Sequence, residues 1–135
     1  MLIKKMPAQM ESLHDLLKFL TNEAIRKGFS KDAEQRIELV AEEALVNVFL
    51  HGYANHKGQV EVRCLDSDDL SLKFEIIDTG VSFNPLSLAD PDLQPDLTSR
   101  KIGGMGLFLI RKMTDNLTYR REGDNNILTM TILSR

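Results

Sequence analysis

The segment Glu42–Tyr53, EEALVNVFLHGY, reads as the end of an amphipathic helix that also sets a carboxylate, an amide and an imidazole at successive steps of four, Glu43, Asn47 and His51. Residues at i and i+4 project from one side of a helix, so Glu43 and Asn47 can meet the same ligand. Ile37, Val40 and Ala44 are expected to pack inward on the opposite side. On spacing alone a solvated polar stripe accounts for the pair better, because Glu is common on helix faces and Asn is tolerated there. The surrounding chain decides its meaning.

Upstream, Leu13, Leu16, Leu17, Leu20 and Ala24 fall on one helical face and predict a helix over Gln9 to Lys27, with Gly28 as its stop. Ser30 is placed to cap a second helix that runs through Ile37, Val40, Ala41, Ala44 and Val48 to about Leu50. Downstream the period changes to two. Val60, Val62 and Cys64, then Leu70, Leu72, Phe74 and Ile76, predict strands over Gln59–Asp66 and Leu70–Asp78, joined by the polar turn DSDD. The turn EGDNN, Glu122–Asn126, predicts a second hairpin between Leu117–Arg121 and Ile127–Leu133.

Three of the four prolines fall between Thr79 and Lys101, a stretch with no sustained periodicity. A connection of that length inside a compact domain is uncommon unless it serves a function, and it is read as a lid over about 79–103. Beyond it GGMGLFLIRKM reads as a glycine-rich turn feeding a short helix, about Met105 to Thr114.

Composition bounds the rest. The 135 residues, 42% hydrophobic and 27% charged, are those of one globular domain spanning 1–135. No apolar run approaches the ~20 residues of a membrane span, and MLIKKMPAQM lacks the apolar core of a signal peptide. With a single cysteine, Cys64, the expectation is a reducing, cytoplasmic setting and no membrane partner. A net charge of −3 and a pI near 5.6 argue against nucleic acid as a partner. The basic runs at Arg111–Lys112 and Arg120–Arg121 are read as solvated faces. The three histidines and Cys64 lack metal-site spacing, so no zinc is expected.

Two further pieces can carry chemistry. FEIIDTG, Phe74–Gly80, ends an apolar strand on Asp78, followed by Thr79 and Gly80; alone it reads as a turn-forming Asp-x-Gly, but a carboxylate there can also accept from an exocyclic amine. GGMGL, Gly103, Gly104, Met105, Gly106 and Leu107, precedes an apolar helix whose free N–H groups and dipole can hold phosphate. It lacks the lysine of a P-loop and the strand–G-x-G-x-x-G–helix order of a dinucleotide fold.

Taken in order, a Glu–Asn helix, a hairpin ending in D-x-G, a lid and G-G-x-G-L, the sequence resembles the ATP-binding domain of the GHKL superfamily, which includes gyrase, histidine kinases and MutL. Within it the chain is most similar to anti-sigma-factor serine kinases of the RsbW and SpoIIAB type. EALVNVFLHGY matches the family's E-A-x-x-N-x-x-x-H-G-Y, and the D-x-G box matches at Asp78–Gly80. The following VSFNP carries Asn84 where relatives often have an acidic residue. The final match runs from GGMGL through the terminal hairpin, including Asn126 before the last strand.

The resemblance implies an α+β two-layer sandwich of the GHKL (Bergerat) type, a mixed, mainly antiparallel sheet covered by about three helices, with ATP between the helix layer and the lid. Leu13, Leu17, Ile37, Val40, Ala44, Phe74, Ile76, Leu109 and Ile132 are the expected core. The resemblance implies Asn47 as ligand of a Mg²⁺ bridging the ATP phosphates, Glu43 as base and Asp78 as acceptor for the adenine amine. His51, one turn past Asn47, faces the phosphates or ends the helix, the latter preferred; Arg100 and Lys101 are candidates for the γ-phosphate. The implied function is an anti-sigma factor with serine-protein kinase activity, commonly a homodimer, that binds a sigma factor and phosphorylates a STAS-domain anti-anti-sigma factor. The rivals are a nucleotide-dependent binding module without phosphoryl transfer, and the ATP-binding domain of a histidine kinase, which the chain fits poorly for want of a helical hairpin bearing a phosphoacceptor His.

Overall fold

The computed structural model describes residues 1–52, 58–80 and 104–134, with the backbone alone at 51, 52 and 104–108. The described strands are β1 (Leu2–Pro7), β2 (Gln59–Leu65), β3 (Ser71–Asp78), β4 (Asn116–Glu122) and β5 (Asn125–Leu133). The described α-helices are α1 (Leu13–Arg26), α2 (Lys31–Asn47) and α3 (Gly104–Met113). The strands form one five-stranded sheet in the order β1-β2-β3-β5-β4. Every pairing among the described strands is antiparallel, the predominant direction expected for a mixed, mainly antiparallel sheet. The reason is the second hairpin: β4 takes the edge and the turn brings β5 back beside β3, running against it.

Alternation along the strands sorts the sheet into two faces. Val60, Val62 and Cys64 on β2, Leu72, Phe74 and Ile76 on β3, and Met130 and Ile132 on β5 point to one side, where they join Leu16, Leu20 and Ala24 of α1, Ile37, Val40, Ala41, Ala44 and Leu45 of α2 and Ile110 of α3 in one core. Burial of such side chains, worth roughly 1.5–3 kcal/mol each, holds the helix layer on the sheet. Leu13 and Leu17, expected in the core, are partly buried at its margin, and Leu109 is half-buried beside the fully buried Ile110. The apolar stripe of α1 is wider than its contact with the sheet, and the line through Leu16, Leu20 and Ala24 is its centre.

Local signals set the ends of the elements. Gly28 adopts φ +79° just past α1, a left-handed conformation that costs glycine nothing. The Ser30 hydroxyl accepts from the Ala33 N–H at 3.1 Å and opens α2. Lys27 at the end of α1 donates from Nζ to Ser67 Oγ at 3.1 Å, the Asp68 carbonyl at 2.9 Å and the Ser71 carbonyl at 3.0 Å, fastening the helix to the β2–β3 turn. The strand β1 has no counterpart in the sequence reading. Its exposed Leu2 and Ile3 break alternation, and as an edge strand closed by Pro7 it pairs on one side only. No described helix is long and apolar enough to cross a membrane.

Candidate active site

The α2 helix ends at Asn47, and Val48–Gly52 continues as a π-helical turn rather than as the α-helix expected to about Leu50. Such widened turns often occur at functional positions. Asn47 follows Val40 by seven residues and Ala44 by three, which puts it on the inward stripe, not on the side opposite it. It is 6% exposed, and its Nδ2 is sealed from solvent with no hydrogen-bond partner among the described residues. An unpaired buried amide costs about 1–3 kcal/mol. Turning the amide over places Oδ1 in the same position, a neutral oxygen of the kind a hard cation takes. The amide thus offers one oxygen of the kind Mg²⁺ takes, and a cation held there would draw its other ligands from elsewhere.

Glu43, one turn earlier, is half-buried. Its carboxyl is raised above the ordinary 4.5, first by burial and then by the neighbouring Glu42 charge. A carboxylate that binds a proton more readily than usual is suited to general-base work. His51 lies within the π-helical turn, and its side chain lies outside the described residues.

Asp78 closes β3 in line with Leu72, Phe74 and Ile76, so the strand's alternation carries its carboxylate onto the helix-facing side at one end of the sheet. It is 7% exposed. Its Oδ1 accepts from the Gly80 N–H at 2.9 Å and from Asn126 Nδ2 at 3.0 Å, while no described residue donates to Oδ2. The first bond is the Asx turn of D-x-G. The second crosses to β5, where Asn126 is the direct partner of Asp78. The same structure thus holds a turn former and a carboxylate with one oxygen left for a donor.

Gly104, Met105, Gly106 and Leu107 form the first turn of α3, which packs against α2. A helix N-terminus there suits anionic groups. Arg100, Lys101 and Gly103, Tyr53 of the opening motif, Asn84 and the lid from 81 onward lie outside the described residues.

The sequence reading noted Asn126 only as part of the family match and gave it, Tyr119 and Arg121 no place in the site. Asn126 is 5% exposed; its Oδ1 receives the Tyr119 hydroxyl at 2.6 Å and Arg121 Nη1 at 3.0 Å. Arg121 Nη1 also donates to the Gly80 carbonyl at 3.1 Å, and its Nε to the Gly123 carbonyl at 3.1 Å. Arg120 bonds Glu75 and Glu122, so both arginines of the YRRE run, exposed as expected from sequence, also hold partners in the structure. The available signal was period two: Tyr119, Arg121 and Asn126 share the face of Asp78.

Antiparallel sheet, covering helices and this site define an ATPase domain of the GHKL class. The family described as "Histidine kinase-like ATPase domain" matches residues 6–132, and the chain belongs to it. Among curated proteins it is 30% identical over 119 residues to the serine-protein kinase RsbW of Listeria monocytogenes serovar 1/2a, covering 84% of this chain and 75% of that protein. It is 30% identical over 118 residues to the serine/threonine-protein kinase BtrW of Bordetella bronchiseptica, covering 87% and 82%. Among solved structures, the RsbU and RsbW domains of a Mycobacterium tuberculosis protein superpose with a TM-score of 0.67 at 17% identity, over 100% of this chain and 33% of that longer chain. The catalytic domain of the histidine kinase ThkA superposes with a TM-score of 0.56 at 17% identity, over 99% and 97%, which shows the shared fold.

Proposed function

We propose that this chain is a single-domain anti-sigma factor with ATP-dependent serine-protein kinase activity, working as a cytoplasmic homodimer that binds a sigma factor and phosphorylates a STAS-domain anti-anti-sigma factor. The observation that carries the reading is the pair on α2, a sealed, unpartnered amide at Asn47 one turn from a carboxyl at Glu43 whose proton affinity is raised. The names of its relatives, serine-protein kinase RsbW and, over 64% of this chain, an anti-sigma F factor of Clostridium acetobutylicum, support the same class.

In this reading Asp78 receives the adenine amine on Oδ2, and the first turn of α3 offers its N–H groups to the phosphates. Asn47 Oδ1 is the protein ligand for Mg²⁺, which when bound supplies charge neutralisation at the phosphates. Glu43 orients the partner's seryl hydroxyl and takes its proton as the oxygen bonds the γ-phosphorus and the bond to the ADP oxygen breaks. His51, Gly80, Arg100, Lys101 and Gly103 complete the proposed nucleotide surroundings.

The second reading, a histidine-kinase ATP-binding domain, draws on the near full-length overlap with ThkA, but at 17% identity that overlap speaks for fold. Incubating the protein with labelled ATP and a STAS-domain partner tests the choice. Acid-stable label on a serine of the partner is expected; label on histidine, or ATP binding with no transfer, overturns it.

A further inference from the structure

The amide of Asn126 is held in one orientation by its surroundings. With Oδ1 toward Tyr119 and Arg121 it accepts from a hydroxyl and a guanidinium, and with Nδ2 toward Asp78 and Gly80 it donates to a carboxylate at 3.0 Å and a carbonyl at 3.4 Å. Turned over, its NH₂ would face Arg121, which can only donate, and its oxygen would face two acceptors. Both ends would clash. The assignment therefore follows from the chemistry of the neighbours rather than from the shape of the amide.

This fixed amide governs Asp78. Two donors, the Gly80 N–H and Asn126 Nδ2, converge on Oδ1 and set the rotation of the carboxylate about its last bond, so Oδ2 points away from them. Arg121 braces the arrangement twice, through Asn126 Oδ1 and through the Gly80 carbonyl, and Gly80 is itself the source of the other donor to Asp78. Tyr119 and Arg121 both lie on β4, the edge strand beyond β5, so neither bonds Asp78 itself.

We infer that Tyr119 and Arg121 are positioning residues for base selection: acting through Asn126, they hold Asp78 as a pure hydrogen-bond acceptor of fixed direction, so that the proposed base site takes a purine carrying an exocyclic amine and rejects one carrying a carbonyl there. The inference rests on the reading of Asp78 as the base acceptor. A carboxylate free to rotate aims its oxygens less well and discriminates less, because discrimination against the wrong group comes from leaving rigid polar atoms unpaired. Loss of either donor to Oδ1 removes part of what fixes the Asn126 amide, and the carboxylate that its Nδ2 orients is then held less firmly.

The test measures binding of ATP and of GTP, in the same buffer, to the wild type and to Asp78→Asn, Tyr119→Phe and Arg121→Met, with thermal unfolding followed in parallel. Asp78→Asn is expected to narrow the ATP-to-GTP affinity ratio by about 10-fold or more, since it exchanges an acceptor for a group able to donate. Tyr119→Phe and Arg121→Met are each expected to narrow the ratio by roughly 3–10-fold, mainly through weaker ATP binding, the scale of one neutral hydrogen bond lost at a distance. Arg121→Lys keeps a donor and should recover part of the loss. If Asp78→Asn leaves the ratio unchanged, the reading of Asp78 as base acceptor fails. If Asp78→Asn narrows it while Tyr119→Phe and Arg121→Met lower both nucleotides equally, or change only the unfolding temperature, the β4 residues are structural and the inference is overturned. Should Arg121→Met not fold, Tyr119→Phe, which removes one hydroxyl from a half-buried ring, decides alone.

Discussion

Glu43 and Asn47 stand one turn apart on α2 and are buried unequally: Asn47 is buried with its Nδ2 unpaired among the described residues, whereas Glu43 stays half-buried and binds its proton more readily than a free carboxyl. In the proposed function that difference matches different work: Asn47 would touch a group that stays in the site, and Glu43 would exchange a proton with one that arrives.

Glu43→Gln should therefore keep the fold and ATP binding while lowering phosphoryl transfer to the partner by ~10²–10⁴-fold, the usual share of general-base catalysis. The comparison is nucleotide affinity against transfer rate in the same preparation. Transfer at the native rate would remove Glu43 from the chemistry, and loss of ATP binding would assign it a structural role.

Asn47→Ala should weaken ATP binding chiefly in the presence of Mg²⁺, because the amide oxygen is one of few protein ligands such a site offers. ADP without metal should suffer less. Because Nδ2 is already unpaired, truncation deletes no existing hydrogen bond of that atom, so the fold should lose little beyond packing. Calorimetric titration with and without Mg²⁺ separates the cases; an equal loss in both conditions points to packing.

The raised Glu43 carboxyl sets the acidic side of the expected pH profile. Only the ionised form accepts a proton, so transfer falls as pH drops through the Glu43 pKa, and the acidic limb of kcat/KM should lie above the ordinary 4.5. Glu42 contributes to the upward shift as a like charge. Glu42→Gln removes that charge, favours the ionised Glu43 and should move the limb toward lower pH. A limb that moves toward higher pH, or no acidic limb at all, contradicts the assignment.

Much of this architecture could be read in advance because its signals are local. The Ser30 cap, the stop at Gly28, both hairpin turns and the period-two faces of β2 and β3 each depend on a few neighbouring residues, and each is found. Features set by tertiary partners were not legible. The strand β1 exists because β2 offers it an edge, the inward placement of Asn47 depends on where α2 meets the sheet, and the Tyr119–Asn126–Asp78 chain joins residues from three strands. A motif shows which side chains can do chemistry, but the bonds that join them to other strands follow from tertiary pairing and carry no local signal.

Lys27 illustrates the same point for stability. Its ammonium satisfies two carbonyls and a hydroxyl of the β2–β3 turn, so Lys27→Met keeps the stem's packing and leaves those acceptors to water. Hydrogen bonds to a charged group contribute about 1.5–3 kcal/mol, discounted here for partial exposure, and a loss of roughly 1–2 kcal/mol in denaturant unfolding is expected. Because the turn lies at the end of the sheet away from Asp78, ATP affinity should be unchanged. A loss below 0.5 kcal/mol, on the order of a neutral surface change, would mean that the three contacts add nothing net.

Cys64 offers a direct reading of core integrity. It lies 4% exposed on the helix-facing side of β2, and burial, reinforced by the Glu23 carboxylate, pushes its thiol from 9.0 up to about 12. The thiolate is the reactive form, so near pH 8 the folded protein presents roughly 10³-fold less of it than an unfolded chain does, the difference of about three units between those two values. Burial also blocks access. Reaction with a disulfide reagent should therefore be slow in the native state and rise in step with unfolding as denaturant is added. The linkage runs in a definite direction: the folded thiol holds its proton more tightly than the unfolded one, so this contribution to stability is complete below pH 9.0 and is lost as pH rises toward about 12. In that window the fold should weaken by roughly 1.4 kcal/mol per pH unit from this group, and Cys64→Ala, though less stable at neutral pH for the small cavity it leaves, should show a shallower alkaline decline. Rapid labelling of the native protein at pH 8 without denaturant would show that β2 opens locally, and equal alkaline slopes in the two proteins would show that Cys64 does not govern the decline.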